Sequence, residues 1–580
     1  MATTDDSFVP VASLAELEAD GRKLVTPQGH AIAVFYHEGE VRAVDNRCPH
    51  MGFPLADGTV DEGVLTCHWH HARFELSCGD TFDPWADDVQ TYPVEVRDGE
   101  VYVDPDPPLE TEPAEHWATR LDTGLEENLR LVVAKATIGL LNEQIDPVDP
   151  LAQGVRFGTR YREQGWSSGL TILAAMANVL PELDDEDQKR ALYTGLRHVA
   201  SDCAGQAPNF DQPSFSTREV DPERLESWFR ENVEVRDADG AERVLRTAIE
   251  TCDREQVETM LFAAATDHRY LDSGHSFDFV NKAIETLDHV GWDAADDTLA
   301  SLVERLTDAQ RSEELSSWRQ PIDLASLLDD AFEDLDDLAA SGEGQTWTEP
   351  ADFQDTLLSD DPHDIVAALC GAIEAGATTE ELAHAVAHAA ATRVARFGTA
   401  NEFSDWNTVH HTFTYANAVH QATRRVEATE LYRGVFDAAI NVYLDRFLNT
   451  PPAPIPEPAS SDRDPAAVLD DLRETFDEEG QVNEAGRLVG EFLDCGGDPA
   501  DLKRTLGHCL LREDAGFHTL QALETGFRQF DLAGDDYRAR VAMVAVARYM
   551  AAHFPTRREA EQTFTIASRL LRGEAVHEAD

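Results

Sequence analysis

The sequence predicts a multidomain chain, a small all-β domain at the N-terminus followed by an all-α region of about four helical repeats. Three observations predict it. The 580 residues are too many for one hydrophobic core, so two to four domains are expected. From Phe8 to Val103 the apolar residues come in short, alternating, β-branched runs separated by turn residues. From His116 onward that alternation stops and a helical period replaces it, as in Leu129, Val132, Val133, Ala136 and Leu140.

The β domain is expected over residues 6–104. Ser13-Leu14-Ala15-Glu16-Leu17 reads as a short helical turn capped by Ser13. Ala31–Tyr36 reads as a strand, His37–Glu40 as a turn and Val41–Val44 as the returning strand. Val94–Arg97 and Glu100–Val103 form a second predicted hairpin, closed by the two-residue turn Asp98-Gly99. The prolines at 105, 107 and 108 stop the sheet, and an acidic, Pro-rich linker spans 105–115.

Between the hairpins lie Cys48-Pro49-His50 and, sixteen residues on, Cys67-His68-Trp69-His70. Two Cys–His pairs on successive loops suit a [2Fe–2S] centre in which two imidazoles replace two thiolates on one iron. A single zinc ion with the same four ligands is the chemical alternative. The stretches Val44–Gly52 and Cys67–Phe74 resemble the Rieske [2Fe–2S] family, with the likeness covering about residues 6–104. The resemblance implies that Cys48 and Cys67 bind the buried iron and His50 and His70 the outer one. His68 stands where that family commonly has Pro, and His71 where it commonly has Gly. Respiratory-chain members carry an extra, disulfide-forming Cys in each cluster loop. Here Phe53 follows Gly52 and Trp69 precedes His70, so the domain is similar to the ferredoxin type that serves oxygenases and reductases. That type implies a potential near the low end of the Rieske range, about −150 mV.

Breaks at Ala340–Gly344 and at Thr450–Pro458 divide the helical region into 116–340 with repeat units one and two, 360–450 with unit three, and 465–575 with unit four. The turn into the last helix of each unit reads Gly169-Leu170-Thr171, Gly274-His275-Ser276, His410-His411-Thr412 and Phe517-His518-Thr519. His275, His411 and His518 therefore occupy one position in three units. Unit three adds His384 and His388, one turn apart on a helix face, and His508 of unit four aligns with His388. These six are the candidate catalytic residues, able to serve a substrate, a proton or a second metal in the helical region. The same histidines can equally cap helices and pack. Glu381-x-x-His384 matches half of a di-iron carboxylate motif, with Glu574-x-x-His577 as a weak second half in the terminal tail. The His–Thr turns resemble those of questin-oxidase-like helical proteins, a likeness that assigns no residue a role. No G-x-G-x-x-G after a strand and no G-x-x-x-x-G-K occurs.

The 111 Asp and Glu against 47 Lys and Arg give a net charge of −64, with only Lys23, Lys135, Lys189, Lys282 and Lys503 as lysines. Dispersed acid with scarce lysine points to a high-salt cytoplasm, where a Debye length of about 3 Å in molar salt screens the self-repulsion. A basic face for nucleic acid is missing. The eight cysteines show no C-x-x-C spacing and read as reduced. No leader or membrane anchor is read from the sequence. Two functions follow. One is an electron-transfer component of an oxidoreductase system, served by an external reductase or ferredoxin and passing electrons to an unnamed acceptor or small-molecule substrate. The other is a redox-sensing or docking scaffold whose helical region has no catalytic activity.

Overall fold

The computed structural model describes residues 7–108, 111–216, 220–574 and 576. Met1–Asp6 and His577, from the leader and tail readings above, lie outside the described residues. The chain packs as two units, one of residues up to 150 with those from 561 onward, the other of residues 151–560.

Among the described residues the first unit carries ten strands: β1 (Val9–Ser13), β2 (Arg22–Val25), β3 (Ile32–His37), β4 (Glu40–Asp45), β5 (Thr59–Asp61), β6 (Val64–Thr66), β7 (Arg73–Glu75), β8 (Thr91–Tyr92), β9 (Val94–Arg97) and β10 (Glu100–Val103). They form three sheets, ordered β1-β10-β9, β2-β3-β4-β8 and β5-β6-β7, with every pairing antiparallel. Both expected hairpins are present. Their turns hold Glu38-Gly39 and Asp98-Gly99 at positive φ, the conformation that lets a two-residue loop match strand twist. Ser13 caps the short helix Leu14–Asp20, accepting the Glu16 N–H at 3.3 Å. One core packs Ile32, Val34, Val101 and Val103; another packs Val44, Leu55, Leu65 and Phe74 around Cys48 and Cys67. The helices Pro113–Glu126 and Arg130–Asn142 belong to this unit, as does most of the last helix, Glu559–Leu571.

Among the described residues the second unit has helices and connecting loops but no strand. At its centre four helices pack as a ring, in the order Ser168–Val179, His275–Val290, Asp405–Thr423 and Phe517–Asp531, the last returning to the first. The aligned triplets lie at or near the beginnings of these helices and not in turns ahead of them: His275 and Phe517 open theirs, Gly169 is second in Ser168–Val179, and His410-His411-Thr412, expected as a turn, sits inside Asp405–Thr423. The ring interior is polar. Lys282 bonds Glu285 at 2.8 Å and Glu524 at 2.9 Å, and Asn178 reaches both carboxylates. Gln529 bonds Asn417 at 2.8 Å. Pairing among these groups fixes the helices in one register, while Asp278 Oδ1, Asn281 Oδ1 and Asn417 Nδ2 have no hydrogen-bond partner among the described residues. No helix among the described residues is long and apolar enough to cross a membrane.

Candidate metal centres

The first centre sits on two loops of the β unit. Loop one leaves β4 and is pinned at both ends: Asn46 Oδ1 accepts the Ala56 N–H at 2.7 Å, and Asp45 Oδ1 accepts the Arg47 N–H at 2.7 Å. Within it the Cys48 N–H donates to Phe53 O (2.9 Å) and the Gly52 N–H to Cys48 O (2.7 Å), with Gly52 at φ 81°. Loop two joins β6 to β7. The Cys67 N–H donates to Ala72 O at 2.8 Å, and the turn is made with His71 at φ 65°. The tight turn therefore forms with His where a glycine would be unstrained.

These loops bring the Cys48 and Cys67 sulfurs within hydrogen-bond distance and set the His50 and His70 rings edge to face, 4.9 Å between centroids. Backbone N–H groups of His50 and Met51 point at the Cys48 sulfur, and those of Trp69 and His70 at the Cys67 sulfur. Hydrogen bonding from Cys48, with the two amides behind it, lowers the Cys67 thiol to about 6. Cys48, the donor of that pair and buried, moves up. Four amides aimed at two sulfurs are what thiolate ligands need in a low-dielectric site. His50 is half-buried, and its Nδ1 has no hydrogen-bond partner among the described residues. An orphaned ring nitrogen there is explained by a metal bond. Burial, then the His70 and Lys135 charges, lower the His50 pKa to about 4. Two thiolates and two imidazoles are the donor set of a two-iron cluster with histidines on one iron.

One residue near this centre was not singled out from the sequence. Lys135, on the helix Arg130–Asn142, donates to Pro49 O at 2.5 Å, between the two ligands of loop one, and pairs with Asp87 at 3.0 Å. Asp87 also accepts from Arg120 Nε at 2.7 Å. A buried lysine in an acidic chain was the available signal, but its burial is visible only in the fold.

The second centre lies in the helical unit, where the six candidate histidines separate. His275, His411 and His518 come together: one ring nitrogen from each lies within 4.8 Å of the others. The Nε2 atoms of His411 and His518 are 2.7 Å apart. His275 Nδ1 donates to Asp272 O at 2.6 Å, which leaves its Nε2 free. Burial lowers the pKa of all three, to about 3 for His411 and about 4 for His518, and neighbouring imidazoles add to the shift in His411 and His518. The remaining three lie elsewhere. His384 stacks on His420 at 5.2 Å, His388 is buried beside Tyr537, and His508 bonds Asp187 at 3.0 Å. Unmarked by the sequence alignment, His410 is fully buried beside the trio, its ring 5.7 Å from that of His518, with neither nitrogen hydrogen-bonded among the described residues.

Comparisons with known proteins bear on the first centre. A family model for the Rieske [2Fe-2S] domain matches residues 7–93. The chain is 37% identical over 97 residues to the 3-phenylpropionate/cinnamic acid dioxygenase ferredoxin subunit of Photorhabdus laumondii, covering 90% of that protein and 16% of this one. It is 33% identical over 89 residues to the ferredoxin component of the p-cumate 2,3-dioxygenase system of Pseudomonas putida, covering 75% of that protein and 15% of this one. Among solved structures, Sphingomonas yanoikuyae B1 ferredoxin aligns with a TM-score of 0.16 and 30% identity, over 98% of its chain and 17% of this one.

Proposed function

Because the chain belongs to the Rieske [2Fe–2S] family, through a domain that fills about a sixth of it, we propose that it is the electron-transfer component of an oxidoreductase system, with its own helical acceptor- or substrate-binding region. The cluster supplies one-electron chemistry when bound. Cys48 and Cys67 would hold one iron of the cluster, and His50 and His70 the other. The amides of His50, Met51, Trp69 and His70 carry the sulfur charge, and Lys135 sets a positive charge against the loop that bears His50. His70 is exposed and His50 half-buried, so the imidazole side is the one a partner's redox group can approach.

The observation that carries this reading is the pairing of two amide-bonded sulfurs with an adjacent pair of imidazoles on two short loops. The relatives are ferredoxin components of dioxygenase systems. By that analogy an outside reductase supplies the electrons and an oxidising site receives them. The protein works in a high-salt cytoplasm, where its charge of −64 is screened.

The test is turnover in molar salt. The purified protein is reduced chemically and offered oxygen or candidate acceptors, while the visible absorption of the cluster is followed. Catalytic reoxidation that ceases in Cys67→Ser supports the proposal. A cluster that cycles without turnover, and a partner that binds one redox state only, replaces it with the sensing scaffold.

A further inference from the structure

We propose that His275, His411 and His518 bind a single divalent first-row transition-metal ion through their imidazole nitrogens, at the end of the central helical ring. The inference rests on the helical unit alone, so it stands or falls separately from the electron-transfer reading.

The donor set is the first argument. Three imidazoles suit zinc, iron, cobalt, nickel and copper. A tetrahedral ion with metal–nitrogen bonds of 2.0–2.1 Å needs nitrogens roughly 3.3 Å apart. The trio spans separations from 2.7 Å to at most 4.8 Å, so small side-chain rotations bring it to that value. It is the only group of three or more His, Cys, Asp or Glu among the described residues whose ligand atoms meet this closely. Packing alone leaves the arrangement unexplained, because three ring nitrogens facing one point can share only one good hydrogen bond.

The second argument is the support behind His275. Asp272 O fixes its tautomer by accepting from Nδ1, the outer hydrogen bond a metal-bound histidine needs. Asp272 is held in turn: its carboxylate accepts the Gln310 N–H at 2.8 Å and the Ser276 hydroxyl at 3.2 Å. The loop that does this is strained. Tyr270, Asp272 and Ser273 have φ of 43°, 50° and 58°, and Gly274 follows at 91°. Residues held there are costly, and such strain clusters at functional sites. Gly274 cannot be enlarged either, since a Cβ would stand 2.9 Å from the Tyr270 ring and 3.0 Å from Tyr415.

The third argument is His410. It is fully buried, without a hydrogen-bond partner at either nitrogen among the described residues, and next to His411 in the chain. A buried imidazole left this way implies a polar occupant beside it. The three donors are only half-buried and flanked by Phe517, whose ring lies 5.6 Å from that of His275. Three neutral ligands leave the ion its full charge and at least one open position, the composition of a site that binds an oxygen or anionic ligand.

The probe is cobalt(II), added to the full-length protein in molar salt after loosely held metal is chelated. The cluster is kept oxidised and diamagnetic, so high-spin cobalt is read by EPR without overlap. Wild-type protein is expected to take up one equivalent stoichiometrically at micromolar concentration. His411→Ala and His518→Gln should each weaken uptake by ~100-fold or more, a loss at least as large as that from removing a supporting residue. His384→Ala and His508→Ala should leave it unchanged. Helical circular dichroism and the cluster spectrum report folding. If His411→Ala unfolds, the half-buried His518→Gln carries the test. The proposal is overturned if folded wild-type protein binds no stoichiometric cobalt, or if the bound equivalent survives His411→Ala and His518→Gln.

Discussion

The two centres handle charge in opposite ways. In the β unit two sulfurs are prepared for negative charge by four backbone amides, with the Lys135 ammonium against the neighbouring Pro49 carbonyl. In the helical unit the imidazoles are kept neutral by burial, among other imidazoles that disfavour protonation. The spacing differs as well. The β centre uses residues two and three positions apart on two loops, whereas the helical trio gathers residues 275, 411 and 518 from three helices. A centre on local loops depends on a few ligands and their amides; one gathered from three helices depends on the packing of the whole ring. The two should therefore fail under different perturbations.

The largest effect should come from the β ligands. Cys67→Ser removes one of two thiolates, and loss of both irons and the cluster absorption is expected, with the helical content unchanged. Retention of iron and of the EPR signal of the reduced cluster would falsify the ligand assignment. Simultaneous loss of helix would instead mean that the two units do not fold separately.

Acid should discriminate in the other direction. His388 and His420 are buried in the helical unit, each with a pKa lowered to about 3. Burial is the main cause for both. His388 also faces Arg538, Asp535, His384 and Arg396, and His420 faces His384, Gln529 and Arg424. Unfolded histidine titrates near 6.5. Between about pH 6.5 and 3 the unfolded chain therefore binds more protons than the folded one, and stability falls as pH falls. In the β unit burial lowers His50 (to about 4) and His116, fewer histidines than in the helical unit, and the other lowered groups include the carboxylates Glu75 (to about 2, held by the Ser77 hydroxyl) and Asp83, beside Arg73. Their contribution is present above the unfolded carboxylate value near 4 and is lost only as pH drops through the folded values. Segment-resolved hydrogen exchange should show the helical unit loosening first, from about pH 6 downward. Loosening of both units together near pH 4 would mean that the buried histidines do not govern it.

Lys135 gives a smaller, graded effect. Replacing it by Met removes one positive charge beside the Pro49 carbonyl and leaves Asp87 with Arg120. A unit charge at roughly 8–12 Å in an effective dielectric of about 20 is worth about 1.4–2 kcal/mol. The potential of the cluster should thus fall by about 60–90 mV in Lys135→Met and rise in Asp87→Asn, measured by redox titration. An unchanged potential in both would limit the pair to packing.

The same contrast explains what the sequence disclosed. The two hairpins and the four expected cluster ligands were legible because each is contiguous: alternation marks the strands and two short spacings mark the loops. The edge strands β1 and β2 and the three-residue strands β5–β7 were not. Their pattern is too short, and pairing partners such as Val9 with Val103 lie far apart in sequence. Repeat alignment placed His275, His411 and His518 at one position, but not in one place; that required the third helices to pack as a ring. His384, His388 and His508 shared the alignment signal yet sit on second helices, whose faces turn to His420, Tyr537 and Asp187. Lys135 and His410 carry no motif, and only burial distinguishes them.

The smallest expected effect tests how the β loop tolerates its departure from glycine. His71 holds φ at 65° with its side chain exposed, so it gains no core packing in return. A left-handed conformation costs a non-glycine residue roughly 1–2 kcal/mol, while glycine adds about 0.5–1 kcal/mol of unfolded-state entropy. The balance favours His71→Gly by up to about 1.5 kcal/mol. Thermal bleaching of the cluster should move up by a few degrees at most, with the helical transition unmoved. A fall instead would show that the imidazole holds the second loop closed by a contact that outweighs its backbone strain, and position 71 would then be a positioning residue for His70 and not a strained turn.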